Sequence, residues 1–371
     1  MKKILSTIAA ICLVTTTFAD TVPFGNGQLT ITTIARNAVR IQYQEGEVKQ
    51  ALPEWIYVNQ TPVKEADVKV DVDSQHQKVS VKDSSGRVVF TATQHQLSDG
   101  KATLSLNSPK DEYLFGLGQF QDGFTNVRGL SRRLTQVNTQ ISIPMLLSSK
   151  GYGILWNNYG MTEFNPADQC VALQKQAGAG EKEVVDVTST EGGKREVRER
   201  HIFEGTITIA EEGDYALLLD VGQKMARRHN LCIDGETVIE MQNLWLPPTA
   251  SQIVHLKAGK HQLSAELTKD DQPTLYYQKV KDQTVFSSPV AEKVDYTVFT
   301  GTPDEIIASY RSLTGKAPKM PSWALGYIHC RERFHSSNEI LSTANRFKQE
   351  DLPISMIVQD WQYWGNTGCH R

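Results

Sequence analysis

The stretch ALGYIHCRERFHSSNEILSTANRFKQEDLPISMIVQDWQYW, residues 324–364, decides the fold. Two apolar runs, ALGYI (324–328) and PISMIV (353–358), flank SSNEILSTANRFKQE (336–350), whose apolar residues recur at helical spacing. A buried strand, an amphipathic helix and a second buried strand in that order predict a β-α-β unit of a parallel sheet or barrel. Each run ends in a polar, aromatic-rich segment: HCRERF (329–334) after the first and QDWQYW (359–364) after the second. In a β/α barrel the C-terminal strand ends face the active site. Asp360 then sits beside Arg331, Glu332 and Arg333, with Trp361, Tyr363 and Trp364 around it. Carboxylates accept hydroxyl hydrogens, and aromatic rings pack on the apolar faces of pyranose rings, so the mixture suits a sugar. Spacing alone fits a second reading equally: the tryptophans cap the barrel, and Asp360 caps the next helix.

Upstream the period changes from helical to two. LTITTIARNAVRIQYQ (29–44) and VKVDVDSQHQKVSVKDSSGRVVFTAT (68–93) place β-branched residues at alternate positions, broken by turns such as Ser85-Gly86. Many short strands with polar punctuation predict a β-sandwich. DEYLFGLGQFQDGFTNVRG (111–129) reads as a glycine-relaxed loop that mixes aromatic and charged groups. Its Gly116-x-Gly118 lacks the third glycine and the helix of a dinucleotide fingerprint. Residues 143–164 predict a hairpin turning at Ser149-Lys150-Gly151. AGAGEKEVVDVTSTEGGKREVRER (177–200) reads as a polar surface excursion, and a second strand-rich block runs from His201 to about Pro289. VDYTVFTG (294–301) is one more strand. TPDEIIASYRSLTG (302–315) is a helix, with Thr302 as cap, Pro303 in the first turn and Asp304 and Glu305 at its positive end.

The chain has 371 residues, 39 Lys and Arg against 42 Asp and Glu, and a formal charge of −3. The densest basic run, KREVRER (194–200), carries its own acids, so no nucleic-acid partner is expected. Met1-Lys2-Lys3, an apolar stretch over residues 4–14, and small residues at Thr17 and Ala19 read as a secretory signal cleaved near Ala19. The apolar run is shorter than the ~20 residues a membrane span needs. Export to the periplasm or beyond is expected, with no stable membrane span. Ile11 before Cys12 is too bulky for lipoprotein cleavage. Cys170, Cys232, Cys330 and Cys369 lie too far apart for a small disulfide framework and read as mostly free, buried thiols. His329-Cys330 and Cys369-His370 are poor chelates, because adjacent residues on a strand point to opposite faces. Neither a metal nor a cofactor is expected.

Residues 321–364 resemble the first barrel strand, helix and second strand of glycoside hydrolase family 31, and most resemble its α-xylosidases. LFGLGQFQDGFTNVRG (114–129) and LTQVNTQISIPMLLSSKGYGILWNNYG (134–160) resemble that family's N-terminal β-sandwich, and residues 299–326 its link into the barrel. The block from His201 to Pro289 resembles a protective-antigen-like sugar-binding insertion. The resemblance implies a mainly β chain. Its parts are a signal peptide (1–19), an N-terminal sandwich (20–166), an inserted β-sandwich-like module (167–290), a return to the sandwich with a linker helix (291–318), and the start of an incomplete (β/α)8 barrel (319–371).

It further implies that Asp360 binds sugar hydroxyls in the −1 subsite, with Trp361 and Trp364 shaping the pocket. Arg331 and Phe334 line it, and Asp122 and Phe124 approach the leaving-group side. Trp245 is either a sugar platform in the insertion or a core residue. An oligosaccharide is the implied partner. Retaining glycosidases need two carboxyl groups ~5–5.5 Å apart, which the family carries on later barrel strands. Residues 321–371 number 51, against ~250 for a whole barrel. The expectation is a chain with no catalytic residue of its own, inactive alone or completed by a separately encoded remainder of the barrel.

Overall fold

The computed structural model describes residues 12–14, 19–48, 54–59, 63, 65–178, 180–189, 192–331 and 334–360. The alternating segments fold as predicted into two facing sheets. One is seven-stranded, in the order Asp20–Phe24, Gly27–Ala35, Ala38–Gln44, Lys293–Thr300, Tyr152–Trp156, Ile141–Ser148 and Leu114–Gln119. The other contains Lys69–Asp73, Lys78–Lys82, Val88–Ser98, Lys101–Asn107, Gln283–Ser288, Thr162–Phe164 and Arg132–Leu134 in sequence, with Cys12–Val14 paired at its edge. Every second residue points inward. Leu29, Ile31, Val39 and Ile41 thus meet Val70, Val79, Val81, Leu104 and Phe286 in one core.

The inserted block has a core of its own, built from Leu217, Leu219, Leu231, Leu263, Leu267 and Leu275. Gln169–Ala172, Thr274–Lys279, Gly213–Asp220 and Thr249–Leu256 form one of its sheets. Gly192–Ile209, Gly259–Thr268, Ala226–Ile233 and Glu236–Leu246 are successive strands of the other. Two sequence expectations change here. Residues 177–200 are largely strand, since Glu181–Ser189 pairs with Gly192–Ile209. Valines and threonines at β positions outweigh the flanking glycines. The return to the sandwich begins at Gln283, inside the stretch assigned to the insertion, because Gln283–Ser288 pairs with Lys101–Asn107.

The helix Pro303–Thr314 starts on a complete capping box: the Thr302 hydroxyl accepts from Glu305 N, and Glu305 reaches back to Thr302 N. Ile306 and Leu313 are buried in a small cluster with Ile34, Phe299 and Leu155.

Residues 316–360, taken by themselves, form the predicted β-α-β unit. Ile328–Arg331 pairs in parallel with Met356–Gln359, and helix Ser337–Gln349 connects them. The first strand is shorter than ALGYI implied, because Ser322–Leu325 is a 3-10 turn closed by Gly326 N donating to Trp323 O. Neither strand is fully buried: Ile328 and Met356 are exposed, as are Trp323 and Leu325 in the turn before the first strand. A two-stranded ribbon offers too few neighbours to cover them.

Candidate functional site

The parallel register brings the two strand ends together. Arg331 stands opposite Gln359, and Asp360 N donates to Arg331 O at 3.2 Å. Arg331 Nη1 donates to Glu339 Oε1 at 2.7 Å, and Glu339 Oε2 accepts from His335 N at 2.6 Å. This backbone donor first, and the Arg331 charge with it, holds the Glu339 carboxyl below its ordinary range. Phe334 is buried, and both its backbone polar groups are taken by the Gln359 amide, at 2.9 and 3.3 Å. The guanidinium of Arg331 lies 5.9 Å from the Phe334 ring. Cys330 Sγ approaches Asp360 Oδ2 at 3.8 Å. Partial burial and the Asp360 charge push the Cys330 thiol up. The structure therefore assembles Arg331, Phe334 and Asp360 at one strand-end surface, with Phe334 as its packed floor. Trp361, Trp364, Glu332 and Arg333 lie outside the described residues.

Asp122 and Phe124 sit in the loop after strand Leu114–Gln119. The loop expected over residues 111–129 is therefore strand in its first half. Gly116, Leu117 and Gly118 all have positive φ, at 126°, 68° and 107°. A side chain at Gly118 would meet Ile141 O at 2.0 Å, and one at Gly116 would meet Met145 O at 2.3 Å. The glycines let a bulged neighbour, Ile141–Ser148, press against this strand. The strand then delivers Phe120 and Asp122 to Arg132.

Arg132 carries the local geometry and was not singled out by the sequence. It is buried, donates from Nη2 to Asp122 Oδ2 at 2.5 Å, and stacks 4.1 Å over the Phe120 ring. Asp122 Oδ1 accepts from Phe124 N at 3.3 Å, so the acid closes its own turn. Burial lowers the Arg132 pKa despite the Asp122 partner. The neighbouring Arg133 reaches the insertion, where Nη1 donates to Asp220 Oδ2 at 2.6 Å. An Arg-Arg pair on a short strand carries no period, so sequence alone gives no signal for either role.

Trp245 is 43% exposed with Arg227 5.3 Å over its ring, and Thr139 Oγ1 donates to its carbonyl. That excludes the core reading. Cys170, Cys232 and Cys330 are free thiols, but Cys170 and Cys330 are exposed, contrary to the expected burial. Cys369 lies outside the described residues. Among the described residues no group of three or more His, Cys, Asp or Glu side chains could hold a metal.

Against known proteins, residues 16–165 match the family model "Glycosyl hydrolase 31 N-terminal galactose mutarotase-like domain". Residues 317–371 match "Glycosyl hydrolases family 31 TIM-barrel domain". An α-xylosidase of Saccharolobus solfataricus is 25% identical over 315 residues, 81% of this chain and 28% of that protein. Alpha-glucosidase 2 of Bacillus thermoamyloliquefaciens is 35% identical over 91 residues, 24% of this chain and 11% of that protein. The crystal structure of a family 31 α-xylosidase from Xanthomonas citri superposes with a TM-score of 0.73 at 20% identity, over 94% of this chain and 45% of that one. The chain thus spans less than a third of the Saccharolobus protein and less than half of the Xanthomonas one.

Proposed function

We propose that this chain, which belongs to glycoside hydrolase family 31, is the N-terminal part of an exported α-xylosidase-like enzyme that releases α-linked xylose from oligosaccharides with retention. One observation carries the reading: Asp360 follows the second of two parallel strands and is tied by its backbone to Arg331 at the end of the first. A carboxylate there is an acceptor for sugar hydroxyls. In the proposal Asp360 holds the −1 sugar, Trp361 and Trp364 wall the pocket, and Arg331 and Phe334 support it. Asp122, fixed by Arg132, and Phe124 act on the leaving-group side.

Retention proceeds in two displacements by a nucleophile and an acid/base carboxyl. Neither role falls to residues 1–371 on this reading, and this chain alone turns nothing over. Export follows from the reading of residues 1–19, and mass measurement of the mature N-terminus tests it.

Xylose lacks the hydroxymethyl group of glucose, so the pocket must fill that space. Comparing aryl α-xyloside and aryl α-glucoside as substrates of the gene's full-length product decides between them. A preference for the glucoside would overturn the xylosidase reading. Turnover of either substrate by the 371-residue chain, abolished by Asp360→Asn, would sink the claim that it is inactive alone.

A second reading has one observation in its favour. The half-exposed Trp245 under Arg227 is a surface aromatic in the insertion, as a non-catalytic carbohydrate-binding protein would use. Calorimetry with xyloglucan oligosaccharides tests it: binding lost in Trp245→Ala favours this reading, and heat unchanged by that substitution removes it.

A further inference from the structure

The sandwich carries a cleft that neither the strand-end site nor Trp245 uses. It measures about 310 Å³ and is bounded by the residues after Arg132–Leu134, the start of Ile141–Ser148, and the loop that follows Tyr152–Trp156. That volume lies at the lower end of the ~300–1,000 Å³ range of small-molecule sites. The lining is uncharged throughout, in a chain whose residues are 22% charged. A neutral wall repels no neutral ligand and offers nothing to an ion.

Tyr159 forms one side. Its ring stacks on Trp55 with centroids 5.3 Å apart, and its hydroxyl accepts from Trp55 N at 2.9 Å. Both rings are exposed, as is Met161 beside them. Gln136 and Ser142, which also line the cleft, are fixed. Gln136 grips Ser142 at both backbone groups, donating to its carbonyl at 2.8 Å and accepting from its N–H at 3.1 Å. Ser142 Oγ donates to Thr135 O at 2.7 Å.

An exposed aromatic ring and preorganised amide and hydroxyl groups in one uncharged lining match a pyranose: apolar on one face, hydroxylated at its rim. We propose that this cleft is a saccharide-binding site, taking one or two neutral pyranose units of the same α-linked oligosaccharide. The inference rests on the proposed glycosidase reading for the identity of the sugar, not for the existence of the site.

The test uses the full 371-residue chain carrying Asp360→Asn and Trp245→Ala, so that other sugar contacts are removed. It is titrated with an α-xylosyl-glucose disaccharide while tryptophan fluorescence is followed. Saturable binding is expected, weakened about tenfold or more by Tyr159→Ala, the loss of one stacked ring. Met161→Glu, at a position already exposed, blocks the cleft without disturbing the core and abolishes binding even where Tyr159→Ala misfolds. No saturation in the parent chain overturns the proposal, as does binding that neither substitution changes. Concentration-dependent self-association relieved by Met161→Glu, without any sugar effect, makes the cleft a contact for a second copy and also overturns it. Failure of the full-length product to hydrolyse α-xylosides would overturn the proposed function alone, leaving Tyr159-dependent binding intact.

Discussion

Strands Tyr152–Trp156 and Met356–Gln359 are both largely apolar, YGILW and MIVQ, and differ in surroundings. All five residues of the first are buried, and none of the four of the second is. The first lies between Ile141–Ser148 and Lys293–Thr300 and faces a second sheet. The second has one neighbour among the described residues, Ile328–Arg331. An apolar run therefore specifies a strand but not its burial, which is set by partners distant in sequence. Trp156 is aligned with Tyr296, across the whole insertion.

Substitution within the two strands should separate them most. The Trp156 indole is buried, stacks on Phe286 at 5.8 Å, and donates to Ser288 Oγ at 3.0 Å. Trp156→Ala should cost about 3–5 kcal/mol in urea unfolding. Ile357→Ala, on the strand where it is only half-buried, should cost about 1 kcal/mol or less. Equal costs would mean that residues 316–360 are packed as tightly as the sandwich.

Acid should separate the cores from the exposed unit next. Burial pushes His95 in the sandwich and His229 in the insertion from 6.5 down to about 4. His95 Nε2 pairs with the Tyr296 hydroxyl at 2.8 Å among Phe24 and Tyr43, and His229 Nε2 pairs with Pro247 O at 2.8 Å. Both stay neutral when folded, whereas the unfolded chain takes up protons below about 6.5. Stability from each is full above 6.5 and falls between 6.5 and 4, by on the order of 3 kcal/mol per histidine. Unfolding free energies across that window check it. His95→Gln should flatten part of the slope, and an unchanged slope would place His95 outside the acid response.

The legible and illegible parts of the molecule divide along the same line. Period-two alternation showed the strands of residues 29–44 and 68–93, and the helical period between two apolar runs showed the β-α-β unit. Thr302 and Glu305 announced their helix by local chemistry alone. What escaped depends on distant partners. Gln283–Ser288 looks like the end of the insertion until it is paired with Lys101–Asn107. Arg132 looks like a surface cation until Asp122 and Phe120 close on it. At the candidate site Asp360 was readable because it ends a strand, while the Glu339 and Gln359 contacts that fix its neighbours Arg331 and Phe334 were not.

Helix caps should separate the two regions by about 1 kcal/mol. Thr302 and Ser336 both accept from the backbone of a glutamate three residues on. The first helix buries Ile306 and Leu313, and the second buries nothing. Thr302→Ala should lower global stability by about 1 kcal/mol. Ser336→Ala should instead raise amide exchange within residues 337–349 and leave the global unfolding midpoint unchanged, because none of that helix's own residues is buried.

The smallest effect probes the candidate site itself. Cys170 and Cys330 are both exposed free thiols, but only Cys330 lies against a carboxylate, with Asp360 Oδ2 at 3.8 Å. That charge, added to partial burial, raises the Cys330 pKa and lowers its thiolate fraction at neutral pH. Asp360→Asn removes the charge and keeps the shape, so alkylation of Cys330 should accelerate a few-fold while that of Cys170 stays fixed. Raising the salt concentration should narrow the difference, because a solvent-facing charge at this distance is screened. Identical Cys330 rates in both proteins would mean that Asp360 points away from the strand-end surface, and the hydroxyl-binding role proposed for it would fall with that geometry.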